Sequence, residues 1–219
     1  PAGSSRRNSF INRKIILRIL GILLFIEAAL FLVCMGVSLL YREADYIYFI
    51  YAAVINVVVG GIMFFLGRGA NNVVTRRDGY CVVAFTWLLF TVFGMMPFYM
   101  SGAIPSVADA FFETMSGFTT TGATILDNIE ELSHGMLFWR SFTHWVGGLG
   151  IVFFTIAVLP IFGVGNQVLF SAEATGVTHD KIHPKISVMA KMLWTVYLIL
   201  TIVVTGLLML GGMDWFDAV

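Results

Sequence analysis

Charge and cysteine are both scarce in this chain. Only 12% of its 219 residues are Asp, Glu, Lys or Arg, against 58% that are hydrophobic, a balance that excludes an ordinary soluble domain. The 13 acidic and 13 basic residues cancel. They are segregated by loop, so the net charge of zero carries no information about nucleic acid, and no nucleic-acid partner is expected. The two cysteines, Cys34 and Cys81, lie in apolar stretches and read as small buried hydrophobes rather than a disulfide or metal pair. His179 and His183 stand four apart but lack the further ligands that a metal site needs. No CxxC motif, Ser-His-Asp arrangement or nucleotide fingerprint occurs, so no enzyme active site and no organic cofactor are expected. In place of charge the chain has long apolar runs, several exceeding the roughly 20 residues of a membrane helix. The first run is full length with no small-residue cleavage site after it, which argues for a retained span rather than a signal peptide.

The expected fold is an all-α integral membrane protein: two N-terminal transmembrane helices followed by helix–re-entrant pore loop–helix repeats, a potassium-channel-like architecture. Helices are predicted at about 15–40, 46–67, 79–100, 136–160 and 187–210. Three parts follow: 1–75 as the two-helix segment, 76–165 as the first repeat, and 166–219 as a cytoplasmic link and the start of a second repeat. With the N-terminus cytoplasmic, Arg6, Arg7, Arg13, Lys14, Arg18, Arg68, Arg76, Arg77, Lys181, Lys185 and Lys191 all fall inside, and only Arg42 and Arg140 outside. Acids including Glu43, Asp45, Asp127, Glu130 and Glu131 gather outside, either as a cation-concentrating vestibule or as plain solvated loops.

The segment between the third and fourth spans is different. Ser106 with Asp109 resembles a capping box. Val107 to Ser116 then makes about ten helical residues, roughly 15 Å, half a bilayer. Met115-Ser116-Gly117-Phe118-Thr119-Thr120-Thr121-Gly122-Ala123-Thr124 follows, rich in Thr and Gly and uncharged. Irregular backbone at membrane depth must be buried in protein or line a water-filled path. A re-entrant hairpin is therefore expected, a short helix descending and an extended strand returning. Dehydrating a cation takes a set of oxygens to replace its water. The candidate carbonyls are those of Thr119, Thr120, Thr121, Gly122 and Ala123, with K⁺ at Thr120, Thr121 and Gly122. Gly122 would allow a backbone conformation closed to other residues. Gly117 to Gly122 has phosphate-loop glycine spacing, but Ala123-Thr124 stands where Lys-Ser/Thr is required.

Phe111-Phe112-Glu113-Thr114 leading into that stretch resembles the first pore loop of the TrkH/KtrB potassium transporters, of the Trk/Ktr/HKT superfamily. Trp139-Arg140-Ser141-Phe142-Thr143-His144-Trp145-Val146-Gly147-Gly148-Leu149-Gly150-Ile151 is similar to the helix that follows it. Glu173-Ala174-Thr175-Gly176, Asp180-Lys181-Ile182, Pro184-Lys185-Ile186 and Lys191-Met192-Leu193-Trp194 continue the likeness. The two extra N-terminal helices favour the TrkH branch, of which this would be the N-terminal portion. The resemblance implies potassium uptake across the bacterial inner (plasma) membrane, with four non-identical repeats around one pathway. It implies Gly122 as this repeat's filter glycine, homodimers, and a cytosolic nucleotide-binding regulatory subunit, TrkA-like. One repeat supplies one wall, so the remaining pore repeats are expected partners. The alternatives are a homotetrameric cation channel with one pore loop per chain, or a non-conducting membrane assembly subunit. Gly211-Gly212-Met213-Asp214-Trp215-Phe216-Asp217-Ala218 echoes Gly102 to Ala110, as a second repeat beginning would.

Three further candidates sit around the hairpin. Glu113, Arg140 and His144 are expected to support the filter, with Arg140 and His144 pairing with Glu113 or an acid among Asp127, Glu130 and Glu131. Glu27, in the middle of the first span, costs about 2.5–3.5 kcal/mol if ionised; a protonated or inter-helix hydrogen-bonded acid is expected over an ion path. Gly147, Gly148 and Gly150 would let helices approach closely.

Overall fold

The computed structural model describes residues 12–70, 76–158 and 186–218, and their regular structure is helical throughout. Among these described residues eight α-helices follow in order: α1 Arg13–Leu40, α2 Tyr46–Leu66, α3 Arg76–Gly94, α4 Met96–Met100, α5 Val107–Phe118, α6 His134–Val158, α7 Ile186–Leu210 and α8 Trp215–Ala218, with a 3₁₀ turn at Ile129–Glu131. Among the described residues, four helical stretches are long and apolar enough to cross a membrane: Arg13–Leu40, Tyr46–Leu66, Arg77–Met100 and Lys191–Leu210. The chain divides into two units, Pro1–Gly148 and Leu149–Val219. The link motifs from Glu173 to Lys185, with His179 and His183, lie outside the described residues.

In the first unit, α1 and α2 are joined by a short turn in which Arg42 has φ 57°. Apolar attraction is weak between helices in lipid, so small residues that bring backbones together do the work of association. A Cβ on Gly21 would stand 2.6 Å from the Gly60 carbonyl oxygen, so both positions must stay bare. Arg18 lies over the Phe64 ring at 5.6 Å and Arg68 over Phe65 at 4.2 Å, anchoring the basic end of this pair on aromatic faces. Cys34 and Cys81 are free thiols, Cys34 fully buried.

The third span is interrupted rather than continuous. It divides at Met95 into α3 and α4, with Pro97 at the start of α4. Proline has no N–H for the carbonyl four residues back and its ring clashes there, which breaks the helix. Thr91 adds to the bend, its hydroxyl donating to the Trp87 carbonyl at 2.8 Å. Against this break packs an aromatic core. Trp139 of α6 is fully buried, its ring 4.6 Å from that of Phe31 and edge-on to Phe118 at 6.1 Å.

The corner after α4 turns through Gly102, φ 75°, and the corner after α7 through Gly212, φ 93°. Their hydrogen bonds match in kind: Ser101 N to Pro97 O beside Gly211 N to Leu207 O, then Gly102 N to Tyr99 O beside Gly212 N to Met209 O. Each corner delivers the chain into a new helix, α5 in the first unit and α8 in the second.

Candidate functional site

The site is built on α5. Ser106 caps it, its hydroxyl accepting from Asp109 N at 3.4 Å. The helix runs two residues beyond the expected Ser116, to Phe118. Its last turn is buried at Glu113, Thr114, Ser116, Gly117 and Phe118, while Thr119 to Ile125 are exposed on this chain.

The helix ends in a Schellman motif. Thr120 N donates to Gly117 O and Thr121 N to Ser116 O, both at 2.9 Å. The residue in the left-handed position is Thr120, φ 55°, where glycine is usual. A β-branched residue there is held against its preference, at a cost of roughly 1–2 kcal/mol. Gly122 is left-handed as well, φ 75°. The returning limb is thus not the extended strand expected from the sequence: two left-handed residues, with Thr121 between them, twist it. Thr119 Oγ1 and Thr121 Oγ1 meet at 2.8 Å beside this twist.

Behind the limb stands Glu113, 2% exposed. Its carboxylate accepts from Thr124 Oγ1 at 2.9 and 3.0 Å, from Ile125 N at 3.1 Å, and from Arg140 Nε at 2.6 Å. Short, charge-assisted bonds of this kind are the strong ones. Ser116 Oγ donates to the Ala123 carbonyl at 2.6 Å, committing one lone pair of that candidate oxygen to the hairpin itself. Arg140 therefore pairs with Glu113, one of the acids expected for it. His144 does not pair with an acid: its Nδ1 lies 2.9 Å from the Arg140 carbonyl, one turn back on its own helix.

The helices α5 and α6 touch backbone to backbone. A Cβ on Gly147 would overlap the Phe118 carbonyl, and one on Gly117 would overlap the Thr143 hydroxyl. The first residue of the hairpin is thereby set directly against α6.

The start of α6 is fixed from a distance that local sequence does not reveal. Glu43, in the α1–α2 turn, accepts from His134 N at 3.0 Å and Gly135 N at 3.3 Å, with His134 Nδ1 2.8 Å from its Oε1. Ser133 Oγ donates to Asp45. A carboxylate on the first N–H groups of a helix complements its dipole. Partial burial alone would raise the Glu43 carboxyl; the hydrogen bonds from the His134 ring and from the His134 and Gly135 N–H groups outweigh it and hold the group below its usual value. The Tyr41 ring stacks on His134 at 3.8 Å.

Among the described residues, two clefts lie beside the hairpin. One of about 360 Å³ is lined by Ala108, Phe111, Phe112, Met115, Ser116, Thr119 and Thr121. The other, about 730 Å³, is lined in part by Asp45, Asp127, Asn128 and Glu131, three of the acids expected at the outer mouth. Glu130 is exposed. Among the described residues no group of three or more His, Cys, Asp or Glu is placed to hold a metal ion. Sequence reasoning missed Thr120 as a left-handed position, Ser116 as the tether of Ala123, and Glu43 as the cap of α6. Only Ser116 carried a local signal, a hydroxyl within the motif.

A family model described as TrkH, cation transport protein, matches residues 47–211. The Trk system potassium uptake protein TrkH of Halomonas elongata is 38% identical over 207 residues, 94% of this chain and 43% of that protein. The protein of the same name from Escherichia coli (strain K12) is 35% identical over 208 residues, again 94% of this chain and 43% of that one. The crystal structure of the potassium transporter TrkH from Vibrio parahaemolyticus matches with a TM-score of 0.80 at 35% identity, covering 94% of this chain and 41% of that one. The chain thus spans less than half the length of the relatives it matches.

Proposed function

The chain belongs to the TrkH cation transport family, and from that premise we propose that it forms one wall of a backbone-carbonyl filter for potassium uptake. The observation that carries this is the left-handed backbone at Thr120 and Gly122. Along an extended strand successive carbonyls point to opposite sides. Left-handed residues at alternate places undo that alternation, which lets neighbouring oxygens face one axis and replace an ion's water. Thr119, Thr120, Thr121 and Gly122 would supply these oxygens, with K⁺ at Thr120, Thr121 and Gly122, and Ala123 closing the row. Glu113 and Arg140 hold the limb from behind and take no part in ion contact. His144 acts one step further back, on the Arg140 carbonyl.

The rest of the pathway would come from further repeats, as the matching corners at Gly102 and Gly212 favour. The parts 1–75, 76–165 and 166–219 would be the N-terminal pair, the first repeat and the start of the next. The protein would lie in the bacterial plasma membrane with its N-terminus cytoplasmic, as a homodimer gated by a TrkA-like nucleotide-binding subunit. The test is rubidium and sodium uptake by the full-length protein in cells lacking other potassium systems, with Gly122→Ser alongside. The variant is expected to admit more sodium. An unchanged preference between the two ions would refute the filter assignment for this repeat.

A further inference from the structure

Glu27 lies in the middle of α1 and is fully buried, as is Asn56 of α2. Asn56 Nδ2 donates to Glu27 Oε2 at 2.9 Å. Each side chain keeps one buried atom without a hydrogen-bond partner, Glu27 Oε1 and Asn56 Oδ1. Both are acceptors as long as the carboxyl is ionised, and a buried acceptor left unmet is costly. The ion pairs among the described residues join His134 to Glu43 and Arg140 to Glu113; neither involves Glu27. One proton on Oε1 would answer both deficits. That oxygen would become a donor with Asn56 Oδ1 as the unmet acceptor on the facing amide, adding a second bond to the one from Asn56 Nδ2.

The same carboxyl abuts the repeat. A Cβ on Gly94 would stand 3.0 Å from Phe118 Cε2, 3.0 Å from Thr114 Cγ2 and 3.1 Å from Glu27 Oε1. The Gly94 carbonyl accepts from Trp139 Nε1 at 2.8 Å. Gly94, at the break between α3 and α4, is thus where the acid of α1 and the last turn of α5 meet its bare α-carbon and the indole of α6 meets its carbonyl. Phe118 is the residue immediately before Thr119.

We propose that Glu27 is a neutral carboxylic acid which, coupled to Asn56, positions the end of α5 and the hairpin beyond it through Gly94. It is a positioning residue remote from the ion, and its effect on flux rests on the filter assignment above. Its protonation does not.

Infrared spectroscopy of the purified full-length protein at neutral pH tests the first half. A protonated-carboxyl C=O band is expected, and Glu27→Gln should remove it; no band lost in the variant would overturn the neutral acid. Rubidium and sodium uptake test the second half. Glu27→Gln, which preserves the amide-facing geometry, should stay within about twofold of the parent, whereas Glu27→Leu should lower the rubidium preference about tenfold, equivalent to about 1.4 kcal/mol. Loss of uptake in the Gln variant, or parental preference in the Leu variant at equal membrane protein, would overturn the positioning role. If the Leu variant does not accumulate, Glu27→Asp, which withdraws the acid by one methylene, takes its place with the same expected loss. An unaltered preference in Gly122→Ser would strike the filter assignment while leaving the infrared result standing.

Discussion

Replacing Arg140 by Met removes the guanidinium 2.6 Å from Glu113 Oε1 and leaves a carboxylate whose side chain is 1% exposed. Breaking a buried pair from one side costs about 3–5 kcal/mol, because the survivor keeps its desolvation penalty without its counter-charge. Here the Thr124 hydroxyl and the Ile125 N–H remain as donors, which puts the expected cost near the lower end, about 3 kcal/mol. The carboxyl also has to carry the return limb, so the loss is felt at Thr124 and Ile125, directly after the candidate carbonyls. Glu113→Gln removes the charge from the other side but keeps a carbonyl for the limb. Combining the two should therefore cost less than their sum, with a coupling of about 1–3 kcal/mol. The assay is thermal unfolding of the purified full-length protein, paired with rubidium and sodium uptake. Parental stability and ion preference in Arg140→Met, or strict additivity in the double variant, would refute the account of the Glu113 network.

Gly147→Ala drives a methyl into the Phe118 carbonyl, a backbone atom that cannot step aside, and should abolish accumulation of folded protein. Gly61→Ala, with nothing within 4 Å, should be neutral or stabilising by about 0.5–1 kcal/mol; equal behaviour of the two variants would count against the α5–α6 contact. Gly122→Ala also meets nothing within 4 Å, so its cost, about 1–2 kcal/mol by thermal unfolding, should come from φ alone. The lowered Glu43 carboxyl contributes stability that is complete above its ordinary value of 4.5 and lost as pH falls below it. Unfolding temperature measured against pH should show that loss in the parent, and Glu43→Gln should flatten it.

The short helix α5 was legible because its signals are local: Ser106 caps it, and the Thr- and Gly-rich run stops it, though two residues later than expected, at Phe118. The spans were legible from length and hydropathy alone. Thr120 was not, since propensity argues against a β-branched residue with positive φ; the Schellman bonds to Ser116 and Gly117 hold it there. Glu43 was missed because a helix cap is normally sought beside the helix, and this one comes from the turn between α1 and α2. His144 was expected to seek an acid, but the carbonyl one turn back was nearer. The break at Met95 was hidden inside an apolar run that reads as one helix over about 79–100.

The return limb is fixed by Ser116 and Glu113 of the helix before it, with Arg140 of the helix after it bracing Glu113. A loop held in this way brings its own scaffold. When such a segment is duplicated within a gene, each copy inherits the shape together with the sequence, and the side chains of its exposed threonines are free to diverge. Repeats that share a frame then need not share a lining. An ion path assembled from them is adjustable one side at a time, without the symmetry that identical subunits impose.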